Sequence, residues 1–196
     1  MTTTNLSNAK KVAIMAITAT LYATFFFISG LVTVPQFTLL YLPIILLGVL
    51  PLWFGLNGLV GSMIGAFIGG AFVEGLGVFA WVESVTTFII YLLVWLLIPR
   101  NAGEVRNPKN FVLLLGVYAV TLLAGTGYIL WQFTIFGLLP PGMAELIILP
   151  TFALNIVIEA VICPVLLRTL TPKLKSWGLY SGNFREWRSR KHEAGT

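Results

Sequence analysis

The segment "LWFGLNGLVGSMIGAFIGGAF", Leu52–Phe72, is apolar enough to lie in a bilayer, yet glycine recurs along it. The glycines occupy positions 55, 58, 61, 65, 69 and 70. Glycine in a helix interior costs about 1 kcal/mol relative to alanine. In lipid, small residues at helical spacing allow two helix backbones to come close together. The spacing therefore predicts a membrane helix that another element approaches closely.

The rest of the chain has the composition of an integral membrane protein. Of its 196 residues, 58% are hydrophobic and 10% are charged, and the mean hydropathy is +0.93. A soluble domain has about 25% charged residues. We predict a single membrane domain over 1–196, with a cytoplasmic amino end (1–11), a membrane bundle (12–170) and a basic cytoplasmic tail (171–196).

The apolar runs predict an all-α, polytopic fold with six transmembrane helices. A span needs about 20 residues, and turn residues or prolines separate the runs. The second and third runs are short and are joined by almost no loop. The predicted spans are Val12–Thr33, Phe37–Trp53, Leu56–Phe72, Val78–Ile98, Phe111–Phe136 and Ala144–Leu170.

The charge distribution supports six spans independently of hydropathy. With six spans, all twelve Lys and Arg residues lie on the side that carries both termini. The opposite loops hold Gln36 and acidic residues, without a Lys or Arg. The positive-inside rule therefore predicts that both termini are cytoplasmic. Lys and Arg in the tail are expected to contact anionic lipid, and this interpretation is favoured over binding to nucleic acid.

The inventory of reactive residues is poor for an enzyme. The chain has no Asp, and His192 in the tail is its one histidine. Cys163, the one cysteine, lies in an apolar run, where packing is the expected role. Metal clusters and histidine-based catalytic groups have almost no residues to form from. We predict no catalytic site, metal site or cofactor.

A second set of small residues lies on the first predicted span. Ala16, Ala19 and Ala23 recur three or four residues apart. Ordinary packing inside the bundle would explain either set of small residues alone. Two such sets are harder to accommodate within one small bundle. We therefore expect Ala16, Ala19 and Ala23 to contact a partner subunit.

Three stretches together resemble a known transporter family. They are "LPIILLGVLPLWFGLNGLVGSMIGAFIGG" (Leu42–Gly70), "AITATLYA" on the first span, and "NIVIEAVICPVLLRTL" on the last span. This combination resembles the substrate-binding S components of energy-coupling factor (ECF) vitamin transporters. The resemblance covers most of the chain, from Lys11 to Leu174.

The resemblance implies a role in nutrient uptake. An S component captures a small vitamin-like nutrient outside the cell and delivers it inward with a separate ATP-driven module. The chain itself lacks the phosphate-binding motif G-x-x-x-x-G-K-[ST]. By resemblance, the partners are a transmembrane coupling subunit and two cytoplasmic ATPase subunits. The alanine face of the first span would contact the coupling subunit.

Polar and aromatic residues of the outer half predict where a ligand binds. Polar groups inside a membrane are unfavourable without a function, and small-molecule pockets combine apolar walls with a few polar groups. By resemblance, the region near the first outer loop also contributes. The candidate ligand-binding residues are Gln36, Trp81, Ser84, Thr87, Tyr91, Tyr128, Trp131, Gln132, Glu145, Thr151, Asn155 and Glu159.

Each of these residues also has a simpler interpretation. Tryptophans at span ends commonly form interface belts, and Asn155 could join two helices by hydrogen bonding. Glu159 could pair with a basic residue or be protonated. Yet Glu74, Glu83 and Glu145 share the outer side without a cation, and Glu159 lies in the membrane. This distribution favours a ligand that carries an amine or a positive heterocycle.

Two other functional classes remain open. An autonomous small transporter or channel would commonly show an inverted repeat with broken helices, and no convincing repeat is present. A structural subunit of a larger complex would explain the small-residue faces but not a polar, aromatic cavity. A membrane enzyme is disfavoured by the missing catalytic groups.

The charge distribution makes the topology testable by cysteine labelling. We expect single cysteines at positions 74 or 143 to react with an impermeant reagent from outside the cell, and a cysteine at 104 to react from inside. These positions flank different predicted spans. If the chain crossed the membrane one time fewer before one of them, that position would lie on the opposite side of the membrane. Labelling of position 104 from outside would contradict the six-span topology.

Overall fold

A computed structural model describes residues 7–31, 40–73, 75–99, 105, 107–137 and 142–193, with the main chain alone at 133, 144, 145, 147, 148 and 190–193. These residues lie in helices, turns and loops, and they contain no strand. The helices are α1 (Asn8–Leu31), α2 (Ile44–Leu47), α3 (Leu50–Val73), α4 (Val78–Leu97), α5 (Pro108–Ile135), α6 (Met143–Ser176) and α7 (Phe184–Glu193). The described fold is therefore all-α, as predicted.

Five of these helices are long and apolar enough to cross a membrane. They are α1, α3, α4, α5 and α6, which correspond to the first, third, fourth, fifth and sixth predicted spans. Helix α6 continues beyond its predicted end at Leu170, through Pro172 to Ser176. The architecture is consistent with a membrane protein.

The second predicted span, Phe37–Trp53, differs from the prediction. Residues 37–39 lie outside the described part, and the remainder is not one helix. Helix α2 has only four residues, and the amide of Val49 then donates to the carbonyl of Leu46, three residues back. Helix α3 begins at Leu50 and is kinked at Gly55, where φ is +53° and ψ is −132°. We call residues 40–54 the broken segment.

The broken segment lies in the interior of the bundle. Its residues from 43 to 53 are buried without exception. Pro51 lies in the first turn of α3, where a missing amide removes no helical hydrogen bond. The small Gly48 lets the segment pass close to its neighbours, because a Cβ there would lie 2.6 Å from Cys163 Sγ and 2.7 Å from Tyr118 Oη. A side chain at position 48 would therefore require Cys163 and Tyr118 to shift.

Three glycines of α3, Gly61, Gly65 and Gly69, pack directly against α1, whereas Gly70 faces Ala80 of α4. A Cβ at Gly65 would lie 2.5 Å from the carbonyl oxygen of Ala19 and 2.7 Å from Tyr22 Cβ. Further along, a Cβ at Gly69 would lie 2.8 Å from Phe26 Cβ. The close approach that the glycine spacing predicts is therefore made by α1 of the same chain.

The contacts between α1 and α3 also set their relative direction. Residues later in α3 contact residues later in α1, from Gly61 beside Thr18 to Val73 beside Gly30. The two helices are thus parallel, and the chain must return across the bundle between them. The broken segment forms the described part of this return, since it joins the contacts of Tyr41 with Asn155 to those of Trp53 with Thr171.

The carboxyl-terminal residues fold against one end of the bundle instead of forming a simple basic tail. The amides of Ser181 and Gly182 donate to the carbonyls of Trp53 and Leu52, both at 2.9 Å. A regular helix would pair these carbonyls with amides four residues later, and the kink at Gly55 disturbs that pattern. The tail therefore supplies donors where α3 is interrupted.

Helix α7 packs beside this interruption. The Trp187 ring lies 5.4 Å from the Trp95 ring of α4, centroid to centroid, and Trp95 Nε1 donates to the carbonyl of Gly182. Asn183 and Glu186 form a reciprocal cap, in which the Glu186 amide donates to Asn183 Oδ1 and the Asn183 amide to Glu186 Oε2. Trp187 is thus part of the bundle end, whereas Trp177 is exposed.

The glycine contacts can be tested by adding one methyl group. Gly65→Ala places a Cβ against the main chain of α1, and overpacking of this kind destabilises by about 1–3 kcal/mol. Gly116→Ala in α5 is the matched control, because a Cβ there meets nothing within 4 Å. We expect a lower midpoint of thermal unfolding in detergent for Gly65→Ala, and an unchanged or higher one for Gly116→Ala. Equal midpoints would contradict direct backbone packing of α1 on α3.

Candidate functional site

Polar side chains from several helices surround the outer part of the broken segment. The amide of Tyr41 donates to Asn155 Oδ1 of α6 at 2.9 Å, and the amide of Leu42 donates to Ser29 Oγ of α1 at 2.8 Å. Asn155 Nδ2 in turn donates to the carbonyl of Thr151. Two main-chain amides that precede α2 are thereby satisfied by α1 and α6. The contacts fix where the chain enters the bundle.

A chain of hydroxyl groups links α1, the broken segment and α4. Tyr41 Oη donates to Glu83 Oε1 at 2.6 Å, so that its oxygen accepts from Tyr22 Oη. Tyr22 Oη lies 2.8 Å from Thr87 Oγ1 and, having donated its one proton to Tyr41, accepts from Thr87. The donors therefore run in one direction, from Thr87 through both tyrosines, and end at the Glu83 carboxylate.

Three helices each donate one side-chain hydrogen bond to carbonyls of the broken segment. Tyr91 of α4 donates to the carbonyl of Pro43 at 3.1 Å. Tyr118 of α5 donates to the carbonyl of Gly48 at 2.7 Å. Cys163 of α6 donates to the carbonyl of Ile45 at 3.3 Å. The Pro43 carbonyl also accepts from the amides of Leu46 and Leu47, so that Tyr91 adds a link between helices there. Carbonyls that a helix interruption leaves unpaired need side-chain partners, because lipid offers none.

Glu159 is the exception among these buried polar groups. Its side chain is 0% exposed, and neither carboxyl oxygen has a hydrogen-bond partner among the residues that the structure describes. It lies one helical turn before Cys163 on α6, and the Cys163 thiol meets the Tyr118 hydroxyl at Gly48. An unpaired carboxylate in an apolar interior is strongly unfavourable. Glu159 therefore lies in the interior beside the broken segment, without the partner that its charge requires.

Four of the predicted ligand-binding residues are engaged within the chain. Ser84, Thr87, Tyr91 and Asn155 are buried and point into the bundle, where each has a hydrogen-bond partner. Ser84 donates to the carbonyl of Met63 and so joins α4 to α3. These contacts favour the interpretation of these residues as links between helices, the alternative that the sequence left open.

Three predicted aromatic residues face outward. Trp81 and Trp131 are 62% and 58% exposed, and Tyr128 is partly exposed beside Trp131, with ring centroids 5.9 Å apart. Trp81 contacts Phe67, with centroids 4.7 Å apart. Exposed tryptophans on apolar helices are typical of an interface belt. The structure does not bring these three rings together with Asn155 and Glu159.

The remaining predicted residues are described in part or not at all. Gln132 is buried, and Thr151 is half-buried and accepts from Asn155. Gln36 and the Glu145 side chain lie outside the described residues. The predictions for Gln36 and Glu145 therefore stay predictions.

The predicted partner contacts on α1 divide into two groups. Ala19 is buried against Gly65 of α3, and Ala23 is half-buried. Ala16 is exposed, as is Thr20 one turn later. The structure buries Ala19 between α1 and α3, where the small residues of the two helices pack against each other, so that packing within the chain explains Ala19 without a partner. Ala16 keeps an outward face.

The sequence interpretation missed several residues of this site. Tyr22, Tyr41 and Tyr118 had no assigned role, Cys163 was expected only to pack, and Glu83 was considered merely as an outer-side charge. Buried tyrosine hydroxyls in lipid need acceptors, so each interior tyrosine on a predicted span was a candidate donor. The sequence does not reveal that the helix is interrupted at Gly48. A continuous helix would leave few carbonyls of this stretch free to accept hydrogen bonds from the tyrosines.

The described residues contain no group of three His, Cys, Asp or Glu side chains that could hold a metal ion. Comparisons of the chain with protein-family models, with curated proteins and with solved structures found no match.

The hydroxyl chain can be tested by removing one oxygen. Tyr41→Phe removes the hydrogen bonds that the Tyr41 hydroxyl makes with Glu83 and with Tyr22, and loss of buried hydrogen bonds of this kind destabilises by about 1–3 kcal/mol. Tyr128→Phe is the matched control for stability, because Tyr128 lies partly exposed on the bundle surface. We expect Tyr41→Phe to lower the midpoint of thermal unfolding in detergent, and Tyr128→Phe to leave it nearly unchanged.

A double-mutant cycle then separates the hydrogen bond from packing. If Tyr41 donates to Glu83, the effects of Tyr41→Phe and Glu83→Gln should be smaller together than their sum. Strictly additive effects would contradict the hydroxyl chain as the structure shows it.

Proposed function

We propose that the chain is the substrate-binding subunit of an energy-coupling factor type transporter, and that it captures a small vitamin-like nutrient at the outer side of the cell membrane. The observation that carries this proposal is Glu159, which is fully buried and has no hydrogen-bond partner in the described part of the chain. Ionisable residues inside membrane domains are commonly functional, because a charge that serves no function there only destabilises the protein. The sequence resemblance supplies the transporter class.

The binding region is proposed to lie beside the broken segment. Helices α1, α4 and α6 meet Tyr41 there through side-chain hydrogen bonds, and Glu159 lies further along α6. A ligand that displaced part of these contacts would change the hydrogen bonding of three helices at once. Binding could thus be coupled to rearrangement of the bundle through Tyr41.

The topology of this proposal is six crossings with cytoplasmic termini. The five long helices and the broken segment supply the crossings, since α1 and α3 are parallel and a return between them is required. The amino end of α1 and the segment that contacts Leu52 and Trp53 lie at the same end of the bundle. The described basic residues lie at or near this end, which the positive-inside rule assigns to the cytoplasm.

The partners in this proposal are a transmembrane coupling subunit and two cytoplasmic ATPase subunits. The chain has no phosphate-binding loop, so that ATP-driven delivery requires other chains. Ala16 on the outward face of α1 is the proposed contact with the coupling subunit. Surrounding lipid would cover the other exposed apolar faces.

An autonomous small transporter is the second candidate function, and the broken segment favours it. Many transporters that act alone bind their substrate at helices interrupted within the membrane. The turn at Gly48 and the kink at Gly55 are two such interruptions. The two candidates differ in whether uptake needs another protein.

Reconstitution separates these candidates. We expect the purified chain in proteoliposomes to bind a small molecule but not to accumulate it. Accumulation should appear only when the proteins that co-purify with the chain, including an ATPase pair, are present together with ATP. Accumulation by the chain alone, driven by an ion gradient, would contradict the proposal and support the autonomous transporter.

The proposed partner contact has its own test. Ala16→Trp adds bulk to the outward face of α1, and close helix approach is lost when bulk fills the contact surface. Val161→Trp is the control, because Val161 is exposed on α6, away from that face. We expect Ala16→Trp to reduce co-purification of the partners at least about tenfold while substrate binding persists, and Val161→Trp to reduce neither. Equal effects of both variants would contradict a contact at Ala16.

A further inference from the structure

The hydrogen-bond donors around Glu159 are already used by the broken segment. The Cys163 thiol lies one helical turn after Glu159 on α6 and meets the Tyr118 hydroxyl at Gly48. Cys163, Tyr118 and Tyr91 of α4 each donate their proton to a main-chain carbonyl. None of the three can donate to Glu159 without giving up that bond, since a hydroxyl or thiol carries one proton. These three groups therefore offer acceptor atoms but no free proton, and the Glu159 oxygens have no hydrogen-bond partner in the described part of the chain.

Two means remain to satisfy Glu159. A proton on the carboxyl removes the charge, and a bound cation compensates it. A donor from the protein is not at hand, because the described Lys and Arg residues on α1, α5, α6 and α7 lie at or near the opposite, basic end of the bundle. A bound cation would gain more than a proton, because the oxygens of Tyr91, Tyr118 and the segment carbonyls can also accept from it.

We propose that Glu159 is the counter-charge for a cationic nitrogen of the transported substrate, a protonated amine or a positively charged heterocycle. This inference rests on the proposed function and names the substrate class of the same site. The distribution of oxygen acceptors excludes an anionic group at this position, because a carboxylate or phosphate would meet the Glu159 charge without a donor to offset it.

An organic cation fits the surroundings better than a bare metal ion. Tyr118 is buried beside Cys163, one helical turn from Glu159, and Tyr91 is buried on α4. Aromatic faces attract organic cations. A protonated amine also carries several N–H donors, which match a carboxylate together with neighbouring oxygens. A metal ion would instead require a set of ligating side chains, and Glu159 is the one carboxylate that the described structure places at this position.

Without ligand, Glu159 is expected to weaken the protein. Removing a buried, unpartnered carboxyl should therefore not destabilise the empty form. We expect Glu159→Gln, which keeps the shape of the side chain, to unfold at the same temperature as the wild type or higher. Destabilisation of the empty Gln variant would contradict an unpartnered carboxyl. This measurement also establishes that the variant folds.

The substrate class is tested with probes that differ only in the cationic group. We expect native mass spectrometry of the purified wild type to find a bound small molecule with a cationic nitrogen, and Glu159→Gln to lose it. In thermal-shift titrations, pyridoxamine and pyridoxine form one probe pair that differs in an amine against a hydroxyl, within a panel of such pairs. Loss of one partner of a buried charge pair predicts binding at least roughly 30-fold weaker in Glu159→Gln.

Thr86→Val is the matched control. Thr86 on α4 is also buried and its hydroxyl has no hydrogen-bond partner in the described structure, but it carries no charge. We expect Thr86→Val to bind the cationic probe as the wild type does. Equal losses in both variants would mean that any buried polar group affects binding through packing, and would overturn the role of the Glu159 charge.

The outcomes separate this inference from the proposed function. A bound ligand without a cationic nitrogen, or a cationic ligand held equally by Glu159→Gln, would overturn the inference alone. Stabilisation of the wild type by sodium chloride relative to potassium chloride, without any organic cation present and absent in Glu159→Gln, would assign Glu159 to a metal ion and overturn it as well. If no small molecule binds to the wild type in either assay, the proposed function and the inference both fail.

Discussion

Main-chain hydrogen bonding in a medium without water is the constraint on which the rest of this structure depends. Each unpaired amide or carbonyl in lipid costs several kcal/mol, so an interrupted helix can persist only inside protein. The broken segment meets this requirement in two ways. Tyr91, Tyr118 and Cys163 donate to its carbonyls between Pro43 and Gly48, and the amides of Ser181 and Gly182 donate to those before the kink. Helices α4, α5 and α6 are thereby positioned by one short stretch of main chain.

The glycines of α3 follow from the same arrangement. Because the broken segment returns through the interior, α1 and α3 become parallel neighbours, and the bundle must hold an additional segment within a small cross-section. Close packing of α1 on α3 at Gly65 and Gly69 provides that room. The unfavourable helix propensity of glycine is therefore offset by van der Waals contact between the two backbones. Small residues on α1 and α3 are two halves of one interface, and a partner is not needed to explain Ala19.

The sequence predicts the long helices well and the interior poorly, for physical reasons. Hydropathy and prolines place α1, α4 and α5 within a few residues, because lipid imposes length and apolarity on each helix separately. The apolar run Phe37–Trp53 has the composition of a membrane span. The interruption of its helix depends on contacts with residues far along the chain, and the local sequence pattern carries no information about those contacts. The same applies to the site. The sequence identifies four polar residues within the spans: Thr87, Tyr91, Asn155 and Glu159. The role of each depends on whether a neighbouring hydrogen-bond donor is already engaged, and residues such as Tyr41 and Tyr118 decide this only in the folded structure.

Comparison of two acidic residues shows what a buried carboxyl requires. Glu83 accepts a hydrogen bond from Tyr41 at the end of a chain of hydroxyl groups, and this bond helps to hold the start of the broken segment in place. Glu159 lies deeper, and the hydroxyl and thiol groups near it are committed to main-chain carbonyls. A protein that needed Glu159 only for stability would gain by an apolar residue of similar size, since replacing buried charges in this way is often neutral or stabilising. A carboxyl that has no hydrogen-bond partner among the described residues adds little to stability, and this is the physical reason for proposing that Glu159 is retained for binding.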